Sequence, residues 1–237
     1  MASGKGLIAH ALGRLMLHRA MVREVRPLSR GFVGLVLAAE QPRDGGYTPG
    51  DKLQVLLPSL DMRTYTPIGW DARGNTELLV VRRDDDTPGA TWIRAVVAGD
   101  ELRFFGPQRS LVAPPGVPVV LFGDETSFAV ATALQRAAPQ RPLACVFEVD
   151  AAAEAEAVLA QLGLANAVVI ERAADHGHLA QIDAELDARL AAQREPALLM
   201  TGNARSIQAL QASRRARGAS RPLKTKAYWS AGKRGLD

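Results

Sequence analysis

The sequence predicts a β + α/β fold, an N-terminal antiparallel β-barrel followed by a C-terminal parallel α/β domain. Two changes of rhythm and one break between them carry this reading. Residues 17–112 hold short β-rich runs separated by regular turn signals, the pattern of a barrel or sandwich. Ala113-Pro-Pro-Gly-Val-Pro118 then punctuates the chain. After it, short apolar runs alternate with helix-length segments, which implies a parallel sheet covered on both faces.

The first part contains strands at Ala20–Val25, Gly34–Leu37, Lys52–Leu57, Glu77–Arg82 and Glu101–Phe105. Pro42, Asp44-Gly-Gly46, Pro49-Gly-Asp51, Gly74-Asn75, Pro88-Gly89 and Gly99-Asp100 separate them. In the second part Val119–Phe122, Leu143–Val149, Ala167–Ile170, Ala197–Met200 and Lys224–Trp229 read as strands. Thr126–Ala137, Ala151–Leu162, Ile182–Gln193 and Ala204–Arg217 read as the helices between them. The domains are accordingly 1–115 and 116–237. In open parallel sheets, ligands bind beyond the carboxyl ends of the strands, which directs attention to Gly123-Asp-Glu-Thr126 and Thr201-Gly-Asn203.

The chain has 237 residues, nearly half of them apolar, enough for a sizeable core. Cys145 is the only cysteine, so no disulfide forms within the chain, no cysteine cluster binds metal, and a reduced cytoplasmic setting is expected. His176-Gly-His178 lacks further ligand spacing, and a polar loop is the simpler account. Gly6–Met21 is mildly amphipathic and is read as a helix packed on the body. No segment has the length of a membrane-spanning helix, so no membrane insertion is expected. Net charge is +4, yet eight Lys or Arg lie from Arg214 onward against the single acid Asp237. Such a patch suits an anionic partner or a solvated helix face, and nothing beside it supports nucleic acid.

Three local sites suggest chemistry. Arg63-Thr-Tyr-Thr-Pro67 offers a planar cation, an aromatic ring and a hydroxyl. A ligand with a pyrophosphate at one end and an aromatic system at the other, such as a flavin dinucleotide, would use this strip. On these five residues alone, an ordinary strand end with a packed Tyr65 is the simpler account. Thr87-Pro-Gly-Ala-Thr-Trp92 precedes a helical turn at Ile93–Val97. Gly89 and Ala90 leave backbone N–H groups open to an anion, or else Thr91 merely caps the turn. Lys224-Thr-Lys226-Ala-Tyr228-Trp229 and the following Lys233-Arg234 place cations beside aromatics, which suits a large aromatic anion or a core aromatic pair with solvated lysines. Gly123-Asp-Glu-Thr126 stands where a phosphate loop is expected but carries two acids, and Asp124 suffices as a helix cap.

Together and in order, these stretches resemble the siderophore-interacting protein family, flavin-dependent ferric-siderophore reductases of the ferredoxin reductase-like superfamily. The matching stretches are Tyr47–Val55, Arg63–Pro67, Gly89–Trp92 with Gly99-Asp100, Phe105–Leu111, Gly123–Thr126 and Ala227–Gly232. The resemblance implies an FAD-binding barrel and a Rossmann-like domain that docks NADH or NADPH. It implies that Arg63 and Thr64 lie against FAD, Arg63 on its phosphates. Tyr65 would pack on the flavin, Thr66 would hydrogen-bond near its N5 as the catalytic contact, and Gly89, Ala90, Thr91 and Trp92 would cradle the pyrophosphate. Asp124, Glu125 and Thr126 would face the flavin and nicotinamide side of the cleft. Lys224, Lys226, Tyr228, Trp229, Lys233 and Arg234 would receive an anionic ferric siderophore, with ferredoxin as an alternative electron donor. No resident metal is implied. The chain departs from many members at Ile68, where they carry Arg, at Arg82-Arg-Asp-Asp-Asp86, where they carry a His, and in a shortened phosphate loop.

Overall fold

The computed structural model describes residues 17–39, 46–219, 223–230 and 232. Seven strands form the first sheet: β1 (His18–Pro27), β2 (Phe32–Ala39), β3 (Lys52–Leu56), β4 (Met62–Tyr65), β5 (Pro67–Trp70), β6 (Asn75–Val81) and β7 (Glu101–Gln108). Their order is β4-β3-β7-β1-β2-β6-β5, with every recorded pair antiparallel. The two edge strands, β4 and β5, are consecutive in the chain with Thr66 alone between them. The sheet therefore curls until its edges meet at that residue, and Thr66 becomes the corner of the barrel. Val33, Leu35, Leu53, Val55, Leu78 and Phe104 fill the interior, with Trp92 and Ile93 of α1 (Pro88–Ala95) as the plug at one end.

The second sheet is parallel, in the order β10-β9-β8-β11-β12. Its strands are β8 (Val119–Gly123), β9 (Leu143–Val149), β10 (Val168–Glu171), β11 (Ala197–Asn203) and β12 (Lys224–Trp229). A short 3₁₀ turn, Glu125–Ser127, leads into α2 (Phe128–Ala137). The other helices are α3 (Ala152–Gln161), α4 (His178–Ala191) and α5 (Ala204–Ala216). Alternation along β8 sorts the core: Val119 and Leu121 pack with α2 and α3, whereas Val120 and Phe122 face the Ile182, Leu186, Ile207 and Leu210 side. Strand order reverses between β8 and β11, so the crevice lies beyond Gly123 and Asn203. On the α4–α5 side, the nearly sealed Arg214 guanidinium bonds Asp183 at 2.6 Å and Asp187 at 2.9 Å.

The two sheets share one apolar cluster. Phe32, Ile68, Leu79 and Leu111 from the first sheet and its exit pack with Leu121 and Phe147 of the second and with Phe128 of α2. Phe32 and Phe128 stack with ring centroids 5.4 Å apart and planes 4° apart. Ile68, 2% exposed, belongs to this seam, and an Arg there would bury a charge among hydrocarbon.

Some boundaries differ from the sequence reading. His18–Met21 begin β1 and pair with Phe104–Glu101 of β7, so the expected amphipathic helix does not reach them, and its residues 6–16 lie outside those described. The helical turn expected at Ile93–Val97 starts at Pro88 instead, because Thr87 rather than Thr91 is the cap and proline tolerates the first helical position. Pro67–Trp70 forms a strand that the Pro and Gly content hid. The helix expected from Ile182 starts at His178, which is buried. Its Nδ1 accepts from Ala173 N–H at 3.1 Å, and its Nε2 contacts Glu148 at 3.1 Å. Among the described residues, no helix is long and apolar enough to cross a membrane.

Candidate functional site

A cleft of about 710 Å³ opens where the barrel corner meets the carboxyl end of β12. Arg63, Thr64, Tyr65 and Thr66 form one wall, Gly89 and Ala90 one end, and Thr126, Tyr228 and Trp229 the other wall. Each position follows from local structure. Arg63–Tyr65 occupy the edge strand β4, which has a neighbour only on the β3 side. Thr66, 6% exposed, turns the chain into β5. Gly89 and Ala90 are the second and third residues of α1, behind Pro88.

At the α1 end, two positive features converge. The Arg63 Nε lies 3.6 Å from where a Cβ on Gly89 would be, so the guanidinium stem crosses the helix N-terminus. The first turn of α1 carries no acidic residue. The Gly89 N–H has no intrahelical acceptor at this position, and the Ala90 N–H reaches Thr87 Oγ1 only at 3.4 Å. Arg63 donates to its neighbour Met62 O at 2.9 Å, and its nearest carboxylate, Asp61, is 3.9 Å away. A cation beside a helix N-terminus is unfavourable by itself and becomes favourable around an anion. Asp85 and Asp86, on the rim, are engaged by Thr87 and Arg94.

At the opposite wall, Tyr228 Oη lies 3.4 Å from Thr66 Oγ1, and burial raises the Tyr228 hydroxyl above its ordinary value. The Arg83 guanidinium stands over the Trp229 ring, 5.0 Å from its centroid. Loss of solvent around the half-buried Tyr65 likewise raises its hydroxyl above the ordinary range, and its ring meets Trp92 at 5.8 Å.

The structure separates residues that the sequence grouped. Asp124, expected to face the cleft, is fully buried, because its carboxylate caps the turn after β8. Thr126 N–H donates to its Oδ1 at 2.9 Å, Thr126 Oγ1 makes a shorter bond to the same oxygen, and Trp229 Nε1 donates to Oδ2 at 2.7 Å. Burial pushes this carboxyl up to about 6 against those donors. Glu125 points away, into a second cleft of about 360 Å³. There it binds Arg172 through both oxygens, at 2.9 and 2.6 Å, and accepts from Asp150 N–H at 2.6 Å. Thr126 alone of the three lines the larger cleft. Trp92, expected beside a pyrophosphate, is buried in the barrel core, and Thr91 is exposed outside the cleft lining. Lys224 is exposed and Lys226 half-buried on β12, and neither lines the cleft. Lys233 and Arg234 lie outside the described residues.

The Asp124–Trp229 bond and the Arg83–Trp229 contact escaped the sequence reading. The only sequence signal for the first was an acid at a strand end far from a tryptophan, and Arg83 sat in the mixed-charge run Arg82–Asp86, read only as a departure from the family pattern.

Residues 118–232 match the family model described as siderophore-interacting protein. No curated protein matches the sequence. Among solved structures, the chain is similar to the siderophore-interacting protein from Acinetobacter baumannii, with a TM-score of 0.71, 13% identity and 91% of each chain covered. A siderophore utilization protein from T. fusca gives a TM-score of 0.69 and 20% identity over 93% of this chain and 95% of the other. The ferredoxin reductase of carbazole 1,9a-dioxygenase gives 0.72 and 17% over 90% of this chain and 69% of the other. These likenesses show a ferredoxin reductase-like fold of a barrel followed by a Rossmann-like domain.

Proposed function

We propose that this chain, which belongs through residues 118–232 to the siderophore-interacting protein family, is an FAD-dependent oxidoreductase that reduces the Fe(III) of a siderophore. The barrel domain, 1–115, seats the flavin, and the domain 116–237 supplies the opposite wall. The observation that carries this reading is the convergence of Arg63 with the N-terminus of α1 at one end of an elongated cleft whose middle is aromatic and hydroxylic.

The residues present fit FAD. Arg63 and the N–H groups of Gly89 and Ala90 would hold the pyrophosphate, as charge-assisted donors do. Tyr65 would lie along the ring system, and Thr66 and Tyr228 would present hydroxyls to its polar edge. The bound flavin supplies the electron transfer, between a two-electron or one-electron donor and a one-electron acceptor. The chain's own work is to hold the ring, narrow the approach between Thr66 and Tyr228, and present Arg83, a cation that lines the cleft, to an anionic ferric complex. Iron leaves as Fe(II), which hard oxygen donors hold less tightly.

The turn after β8 does not fit a dinucleotide pyrophosphate, because Asp124 already occupies the donors that a phosphate would use. Electrons from NADH, NADPH or a reduced ferredoxin are all compatible with the flavin seat. The same observation favours a second reading, a protein that binds flavin or ferric siderophore without turnover. Anaerobic mixing separates the two. The FAD-loaded protein is reduced with dithionite and mixed with a ferric siderophore and an Fe(II) chelator. Reoxidation of the flavin with formation of the Fe(II) chelate is the expected result. A flavin that stays reduced overturns the reductase reading, and equal rates with simple ferric chelates would make the protein a general flavin reductase.

A further inference from the structure

The carboxyl group of Asp124 is 0% exposed, yet it touches the large cleft through one hydroxyl. Thr126 Oγ1 bonds Asp124 Oδ1, and Thr126 lines the cleft. Of its other partners only Trp229 also lines the cleft, and its indole N–H can only donate. Oδ1 also accepts from Thr126 N–H, with Ser127 Oγ 3.5 Å away, and Oδ2 accepts from Trp229 Nε1. Gly202 packs against the carboxylate so closely that a Cβ there would lie 2.4 Å from Oδ2. We propose that Asp124 stores a proton for the cleft and delivers it through the Thr126 hydroxyl.

The geometry fixes where that proton resides. The Trp229 and Thr126 N–H groups can only donate, so among the carboxyl's partners only the hydroxyls can accept an added proton. Thr126 Oγ1 bonds Oδ1 more closely than Ser127 Oγ, so the proton on Oδ1 points to Thr126. With the proton present, Asp124 donates to Thr126 Oγ1, and the Thr126 hydroxyl hydrogen turns to the cleft. When the proton is absent, the same hydroxyl turns back and donates to Oδ1. One rotor thus connects a sealed acid to the cleft. The charged and titratable groups around it are Glu125 on the same turn, Arg172 beyond β10 and Tyr228 on β12, while β11 contributes the uncharged Thr201 and Gly202. Burial raises the carboxyl to about 6, so the store fills as pH falls through that value.

This assignment rests on the flavin reading. An iron–sulfur protein delivers electrons without protons, and a flavin binds a proton as it is reduced. In the delivery step, the Asp124 O–H bond breaks as Thr126 Oγ1 gains that proton. The Thr126 hydroxyl proton leaves to the acceptor in the cleft, and Asp124 remains as a carboxylate held by Thr126 and Trp229. No electron passes through either residue, and solvent refills the store.

The test has two arms. In flavin-free protein, infrared difference spectra of wild type minus Asp124→Asn should show a carboxylic C=O band that titrates near pH 6 and shifts in frequency in Thr126→Val. In FAD-loaded protein reduced by a one-electron donor in stopped flow, the wild-type rate should fall as pH rises through about 6 and show a solvent deuterium effect. Asp124→Asn should abolish that pH step, Thr126→Val should slow reduction about tenfold, and Thr126→Ser should restore it. Unchanged pH profiles and isotope effects in both Asp124→Asn and Thr126→Val would overturn the proposal. If the protein takes up no FAD, the flavin reading fails, and the carbonyl band alone then decides whether Asp124 is a proton store. Absence of that band overturns the assignment.

Discussion

Trp229 Nε1 donates to Asp124 Oδ2 at 2.7 Å, joining residues 105 positions apart. This bond ties the carboxyl end of β12 to that of β8, across the intervening β11. It fixes the wall of the cleft that carries Tyr228, whose hydroxyl meets Thr66 of the barrel. Asp124 is thus a structural tie first, and its environment makes stability depend on pH.

Burial holds the folded Asp124 carboxyl at about 6, above its unfolded value. The folded protein therefore keeps this proton more tightly. The stability this contributes is complete below about pH 4 and is lost as pH rises through about 6. The amount is about 3 kcal/mol. Urea titrations of wild type and Asp124→Asn between pH 4 and 7 should show the decline in the first and a flatter line in the second. Parallel curves would assign the pH dependence to other groups.

Gly202 adopts φ +95 and leaves no room for a Cβ beside Asp124. Gly202→Ala should destabilise by about 1–3 kcal/mol from backbone strain alone, and more if the carboxylate must move. The urea midpoint reads this, and the Trp229 fluorescence should change with it. A variant as stable as wild type would show that the turn relaxes freely.

Asp183 and Asp187 hold the sealed Arg214 between α4 and α5, and Arg217 reaches Asp183 at 2.6 Å. Asp183→Ala would remove one of the carboxylates that hold that guanidinium, at a cost of about 3 kcal/mol. Thermal unfolding should fall while FAD affinity in the folded protein stays unchanged. A loss of flavin binding without a loss of stability would contradict the separation of this clamp from the cleft.

Arg63→Ala removes the cation at the N-terminus of α1. A hydrogen bond to a charged group contributes about 1.5–3 kcal/mol, which corresponds to roughly 10–100-fold in the Kd for FAD. Arg63→Lys should lose part of this, keeping charge but not the fork geometry. Quenching of flavin fluorescence on titration measures both.

Much of this arrangement was legible in the chain. The change from turn-punctuated strands to alternating apolar runs located both sheets, since period-2 burial and crossover helices follow from backbone geometry. Arg63–Thr66, Gly89 and Tyr228 were recognisable because their chemistry is local and their order is collinear. Asp124, Trp92 and the β12 lysines were not, because side-chain direction at a strand end is set by tertiary packing. Asp124 turns inward since Gly202 and Trp229 make room and supply a donor. Trp92 turns inward since α1 starts five residues earlier than its sequence suggests, which places Trp92 within the helix and on the face that packs on the barrel core.

The central claim is that the cleft between Arg63, Thr66 and Tyr228 seats FAD. Titrating the purified, flavin-free wild-type protein with FAD while following flavin fluorescence tests it most directly. The account predicts saturable quenching at one FAD per chain, a yellow protein after desalting, and weaker binding by Arg63→Ala. A protein that stays colourless and leaves FAD fluorescence unchanged would contradict it.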